Sequence, residues 1–222
     1  MSRREAKDAV FEQFARVGKA LASPKRLELL DLLAQGERSV ETLARAANLN
    51  MTTASAHLQA LRRARIVATR RDGTKVFYRL AGRDVADLYL QIQRVAENHL
   101  PDLGAARADF LGPDDTQEVG REELWRRVRT GDVTVIDVRP DEEYVHGHIP
   151  GAVSLPLDQL AARLAEIPAG IDVVAYCRGP YCVLSYEAVR LLRLHGRTAR
   201  RMSDGMLEWR AADLPVESAD VA

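Results

Sequence analysis

Residues 39–80, SVETLARAANLNMTTASAHLQALRRARIVATRRDGTKVFYRL, decide the fold of the first half of the chain. Ser39 is placed to cap a short helix through Ala47, with Leu43 on its inner face. Asn48-Leu49-Asn50 is a tight turn, and Asn50 caps a second helix, residues 51 to about 64. Two short helices joined by a three-residue turn have the spacing of a helix-turn-helix, whose second helix enters the DNA major groove. Thr52, Thr53, Ser55, Ala56 and Gln59 give that helix a polar face of small side chains, hydroxyls and an amide. Such groups allow close approach and bond phosphates and base edges. Leu58 and Leu61 face inward, while His57 stands where it either touches DNA or packs. Residues 66–71 and 74–80 are alternating β-formers around Asp72-Gly73, a strong hairpin signal. With Arg62 beside it and Arg70, Arg71 and Lys75 on it, the hairpin reads as a basic wing that grips backbone phosphates. Contacts of that kind supply affinity and salt dependence rather than sequence choice.

Upstream, Phe11, Phe14, Val17 and Leu21 recur at helical spacing until Pro24 breaks the run. A second helix, residues 25–34, buries Leu27, Leu29, Leu30 and Leu33 and stops at Gln35-Gly36, with Gly36 as a left-handed cap. The net charge of zero hides an asymmetry. Residues 1–100 carry 18 Lys and Arg against 11 Asp and Glu, and the remainder carries 14 against 21. The halves are therefore +7 and −7, which points to a nucleic-acid partner for the basic half. Eight basic residues between Leu61 and Arg83 face a single acid, Asp72. No run of about 18 apolar residues exists, and the charged N-terminus lacks the apolar core of a secretory signal. A cytoplasmic protein without a membrane partner is expected.

The pieces LASPKRLELLDLL, ETLARAANLNMTTASAHLQALRRARIV and RRDGTKVFYRL resemble, as an ordered set, the ArsR/SmtB family of winged-helix repressors over about residues 10–98. The resemblance implies a homodimer on operator DNA, with the first helix and the last (about residues 84–99) paired across a two-fold axis. It also implies repression that an inducer relieves. The departures are informative. Many members sense metals through a cysteine pair at the start of the helix that here reads SVETLARAA, and this chain has no cysteine in its first 176 residues. Others bind zinc on the last helix, where this chain offers Asp84, Asp87, Glu97 and His99 without paired histidine spacing. Zinc generally needs three or four nitrogen- or sulfur-rich ligands, so no metal site and no cofactor is expected.

Beyond His99 the chain changes character. Residues 1–100 form the DNA-binding and dimerisation domain, 101–115 read as a linker with little periodicity, and 116–222 form a second domain. There, residues 133–138 and 173–176 are apolar runs of buried-strand length, and 122–128, 157–167 and 182–195 are helical. Alternating strands and helices give an α/β domain with a parallel sheet, so the whole chain is a mainly α winged helix-turn-helix plus an α/β domain.

Ligands of such sheets bind beyond the carboxyl ends of the strands, and Cys177 stands at such an end. The loop Cys177-Arg178-Gly179-Pro180-Tyr181-Cys182 can wrap the sulfur, with Arg178 and a helix N-terminus favouring a thiolate. A buried, inert cysteine is the plain alternative. VIDVRPDEEYVHGHIPGAVSLP (residues 135–156), the six-residue loop after VVAYC, and RRMSDGMLEWRAADLPVE (residues 200–217) resemble a single-domain rhodanese. Asp204-Gly205 stands where that family commonly has paired glycines. The likeness implies that Cys177 accepts a sulfane sulfur, from a small donor such as thiosulfate or a persulfide, and holds it as a persulfide. Asp137, Arg139, His146 and His148 fall in the family's framework motif and suit ion pairs, turns or core hydrogen bonds better than chemistry. Cys182 would lie near Cys177 across the loop, either as a resolving thiol or as filling for a small apolar gap. The leading expectation is a DNA-binding repressor that senses sulfane sulfur at Cys177. Its rivals are a tethered sulfurtransferase, a silent recruiting domain, and an arsenite-responsive repressor using both cysteines.

Overall fold

The computed structural model describes residues 1–113 and 115–218. The linker's residue 114 and the final residues 219–222 of the second domain lie outside the described residues. The chain divides into two compact units, Met1–Gln91 and Ile92–Ala222.

In the first unit, Ser2 and Glu5 form a reciprocal capping box at the start of α1 (Arg3–Leu21). Helix α2 (Pro24–Ala34) begins with proline, whose fixed φ and missing N–H suit a first helical position. A two-residue strand β1 (Arg38–Ser39) leads into α3 (Val40–Ala46), capped as expected by Ser39 Oγ, which accepts from Thr42 N at 3.2 Å. Asn48 takes the left-handed conformation (φ 49°) that asparagine tolerates, and the chain turns into α4 (Met51–Arg63). Asn50 Oδ1 caps α4 by accepting from Thr53 N at 2.8 Å. Strands β2 (Val67–Asp72) and β3 (Lys75–Leu80) pair antiparallel from Val67↔Leu80 to Asp72↔Lys75, and β1 adds to the free edge of β3. Leu29, Leu30, Leu43, Leu58, Leu61 and Tyr78 form the buried centre, each Leu contributing about 1.5–3 kcal/mol by leaving water. One local expectation changes: α2 is closed by Gln35 in the right-handed region, and Gly36 has φ 158°, far from a left-handed cap.

Helix α5 (Arg83–His99) is shared, its residues from Ile92 onward belonging to the second unit. The stretch read as a linker is largely a helix, α6 (Asp102–Leu111). Its sequence, DLGAARADFL, has little helical periodicity and buries only Leu111, so the helix rests on packing within the second unit rather than on an apolar stripe of its own.

The rest alternates β4 (Glu118–Val119), α7 (Arg121–Thr130), β5 (Thr134–Asp137), α8 (Asp141–Val145), β6 (Val153–Ser154), α9 (Leu157–Leu160), β7 (Val173–Tyr176), α10 (Val183–Leu194), β8 (Ala199–Met202) and α11 (Met206–Ala211). All pairings in the sheet, ordered β4-β8-β7-β5-β6, are parallel. The central strand β7 is wholly buried because both faces are covered. Val173, Ala175 and Cys177 join Leu160, Ala188 and Leu192 on one face. Val174 and Tyr176 join Leu124, Met206 and Trp209 on the other. The helix expected over residues 157–167 is broken at Arg163 (φ −110°, ψ 15°), and a 3-10 turn, Leu164–Glu166, then brings Leu164 and Ile167 onto the core. Among the described residues no helix is long and apolar enough to cross a membrane.

Candidate functional site

Strand β7 carries Cys177 to the carboxyl edge of the sheet, and five residues later Cys182 occupies the N-cap of α10. The two sulfurs are joined in a disulfide, with the Cα atoms 6.2 Å apart, and both residues are buried. A turn closes the loop, with Cys182 N donating to Gly179 O at 3.1 Å. No side chain caps α10 and no acid lies in its first turn, so the field of its N-terminus favours negative charge on either sulfur. The loop's own carbonyls are occupied: Met206 N donates to Cys177 O at 3.0 Å and Leu207 N to Arg178 O at 3.3 Å. Gly205 makes that approach possible, since a Cβ there would lie 2.1 Å from Gly179 N and 2.2 Å from Arg178 C. Arg178 adjoins Cys177 in the chain, yet its guanidinium is held by the buried carboxylate of Glu143, with Nη2 to Oε1 at 2.7 Å. The cation expected to favour a thiolate is thus matched by an acid.

Around α4 the expected DNA-facing residues lie on one helix and one hairpin. Thr52, Ala56 and Arg62 are exposed, and Thr53, Ser55, His57 and Gln59 are half-buried. Gln59 Nε2 donates to the hydroxyl of Tyr78 at 3.2 Å, which ties α4 to the wing. On the wing, Arg71 and Lys75 are exposed. Arg70 differs: it bonds Glu37 at 2.7 Å and Asp72 at 3.3 Å, and lies 4.8 Å from the Phe77 ring centre. The hydrogen bonds it donates to Glu37 and then to Asp72 hold its guanidinium above the ordinary value.

Comparison with known proteins agrees with both halves. The bacterial regulatory protein arsR family matches residues 23–69, and the rhodanese-like domain family matches residues 120–212. The HTH-type transcriptional regulator Rv0324 of Mycobacterium tuberculosis is 55% identical over 214 residues, covering 96% of this chain and 94% of its own length. The chain belongs to the arsR family of regulators and carries a rhodanese-like domain. Its second half is also similar to a sulfurtransferase of Allochromatium vinosum, 35% identical over 101 residues, 45% of this chain and 92% of the relative. Its first half is similar to the homodimeric winged helix-turn-helix DNA-binding domain of Mb0332 from Mycobacterium bovis, 56% identical, covering 45% of this chain and 91% of that one, with a TM-score of 0.41.

In the rhodanese-like domain the framework residues Asp137 and Arg139 lie against Tyr176, the residue before Cys177. Asp137 and Arg139 form a fully buried pair, with Nε to Oδ1 at 2.9 Å, and Tyr176 donates its hydroxyl to Asp137 Oδ2 at 2.6 Å. Burial works to lower the Arg139 value, but Asp137 outweighs it and holds the guanidinium above its ordinary range. His148 stacks on Tyr144 with ring centres 3.7 Å apart and its Nδ1 lies 2.9 Å from Tyr144 O, a structural placement. His146 Nδ1 lies 2.6 Å from Glu142 O. Sequence reasoning missed Glu143, one of three successive acids of which only this one is buried. It also gave no role to Tyr181, whose hydroxyl bonds Glu97. The pairing of residues 84 apart leaves no mark in the local pattern. Among the described residues there is no cluster of three or more His, Cys, Asp or Glu side chains placed to hold a metal ion.

Proposed function

We propose that this regulator binds operator DNA as a homodimer through α4 and the β2–β3 wing, and that its rhodanese-like domain senses sulfane sulfur at Cys177. The observation that carries the sulfur reading is the pairing of Cys177, at the carboxyl end of β7, with Cys182 at the uncapped start of α10. In this reading the Cys177 thiolate attacks the outer sulfur of a small donor, thiosulfate or a persulfide. The new Sγ–S bond forms as the donor's own bond to that sulfur breaks, and sulfite or the donor's thiolate leaves with the electron pair. The Cys182 thiolate then attacks Cys177 Sγ. The Cys177–Cys182 bond forms, the Sγ–sulfane bond breaks, and the sulfane sulfur leaves with the electron pair as hydrosulfide. The two thiols are together oxidised by two electrons and the sulfane sulfur is reduced by two, so no further oxidant is needed. Homodimer formation has support in apolar side chains left exposed on α1 and α5, among them Phe11 at 58%, Phe14 at 64% and Val95 at 49%.

The test uses an operator duplex selected from a random-sequence pool by the reduced protein. Inorganic polysulfide should lower the wild-type affinity for that duplex by about tenfold, within the usual range of allosteric coupling. Intact mass should show the wild type ending two hydrogens lighter, with sulfide released. Cys182→Ser should retain one added sulfur atom, and Cys177→Ser should take up none and keep its affinity. A Cys177→Ser protein that responds as wild type does would refute the reading.

The likeness to a sulfurtransferase favours a second reading, in which the domain turns over. Repeated transfer from thiosulfate to a thiol acceptor, beyond one equivalent per Cys177, would mark an enzyme. Loading that stops at one equivalent would mark a sensor.

A further inference from the structure

Tyr181 immediately precedes Cys182, so any backbone shift that accompanies making or breaking the Cys177–Cys182 bond reaches Tyr181 directly through the chain. Its hydroxyl donates to Glu97 Oε1 at 2.7 Å. Both residues belong to the second unit, and Glu97 stands in the last turns of α5. A second contact steadies the ring, for the Arg107 guanidinium of α6 lies 5.9 Å from its centre while donating to the Tyr186 hydroxyl of α10 at 3.1 Å. Burial and then the hydrogen bond to Glu97 push the Tyr181 phenol up to about 12, so it remains a donor throughout the neutral range. At its other end α5 begins at Arg83, three residues after the wing strand β3 ends at Leu80. One continuous helix thus has a wing at its start and a hydrogen bond to the cysteine loop near its finish.

We infer that the Tyr181–Glu97 hydrogen bond is the positioning contact through which α5 reads the sulfur state of the Cys177–Cys182 loop. This rests on the sulfur-sensing reading above. The loop supplies the two states that coupling requires, one with Cys182 bonded to Cys177 and one with it free. Tyr181 converts that difference into a hydrogen bond held or strained at Glu97. Neither residue touches the sulfur being transferred.

The experiment compares full-length wild type with Tyr181→Phe, Glu97→Ala, Glu97→Gln and the double variant Tyr181→Phe/Glu97→Ala. Each is treated with inorganic polysulfide, then read by intact mass, by affinity for the selected duplex, and by hydrogen exchange over residues 92–99. All should form the Cys177–Cys182 bond as wild type does. In Tyr181→Phe and Glu97→Ala the roughly tenfold affinity response should shrink by about fivefold, to about twofold, a loss within the usual net contribution of a single hydrogen bond. Glu97→Gln, which keeps an acceptor oxygen, should retain most of the response. The double variant should be no worse than either single one, because the two groups act as one pair. Hydrogen exchange over residues 92–99 should change on treatment in wild type and not in Tyr181→Phe.

Variants that load sulfur and lose affinity as wild type does would overturn the inference. So would a variant that fails to load, since Tyr181 would then support the thiols themselves. A wild type that takes up no sulfur, or takes it up without any change in affinity, defeats the sensing reading and this inference with it. That outcome is visible before any variant is made.

Discussion

Asp137 and Arg139 stand two residues apart and neither has any exposed surface. Each needs the other there, because a lone charge without water is far costlier than the pair. Arg139 donates from its backbone N and side-chain Nε to Asp137, and its Nη2 also bonds Gly147 O at 2.9 Å. Asp137→Asn keeps the shape and removes the charge, leaving the guanidinium unmatched. The variant should lose about 3–5 kcal/mol of domain stability, read as a lower urea midpoint with an unchanged slope. A midpoint within error of wild type would mean that the pair is dispensable. Residues of this motif were legible in the sequence as a framework, but their partners were not. Nothing in the run Asp141-Glu142-Glu143 says that the third acid turns inward to meet Arg178.

Elements whose ends are set locally were the most legible. Ser39 and Asn50 cap α3 and α4 as their positions demanded, because a cap depends on backbone groups only three residues away. Helix α6 was hidden for the opposite reason, being held by residues distant in sequence. The wing was legible as a hairpin, yet the sequence could not rank its cations. Arg71 and Lys75 face solvent, whereas Arg70 is occupied by Glu37 and Asp72 and must give up those bonds to reach a phosphate. On the proposed DNA-binding role, Arg71→Ala and Lys75→Ala should each lower the log–log salt slope of duplex binding by about two, one for each protomer of the dimer. Arg70→Ala should lower it by less. Equal effects at all three positions would show that the carboxylates release Arg70 at no cost on binding.

At the scale of the molecule, the sequence placed a boundary near residue 100, while the contacts divide the chain within α5 after Gln91. Periodicity marks α5 as a helix but cannot say what its second half packs against, so its part in both units became visible only in three dimensions. That shared helix makes a thermodynamic demand on the proposed mechanism. If the disulfide form binds the operator tenfold less tightly than the dithiol form, the operator must favour the dithiol form by the same factor. A tenfold change corresponds to about 30 mV for a single two-electron couple, and the dimer shares it between two such couples, about 15 mV each. Because DNA stabilises the reduced state, saturating operator should raise the Cys177–Cys182 reduction potential by about 15 mV. Equilibration in a series of glutathione buffers, with and without the duplex, measures that shift by intact mass. Tyr181→Phe should reduce the shift in proportion to its lost affinity response. A potential that ignores the operator would mean that the disulfide is not the state controlling DNA affinity, leaving the Cys177 persulfide to carry the signal alone.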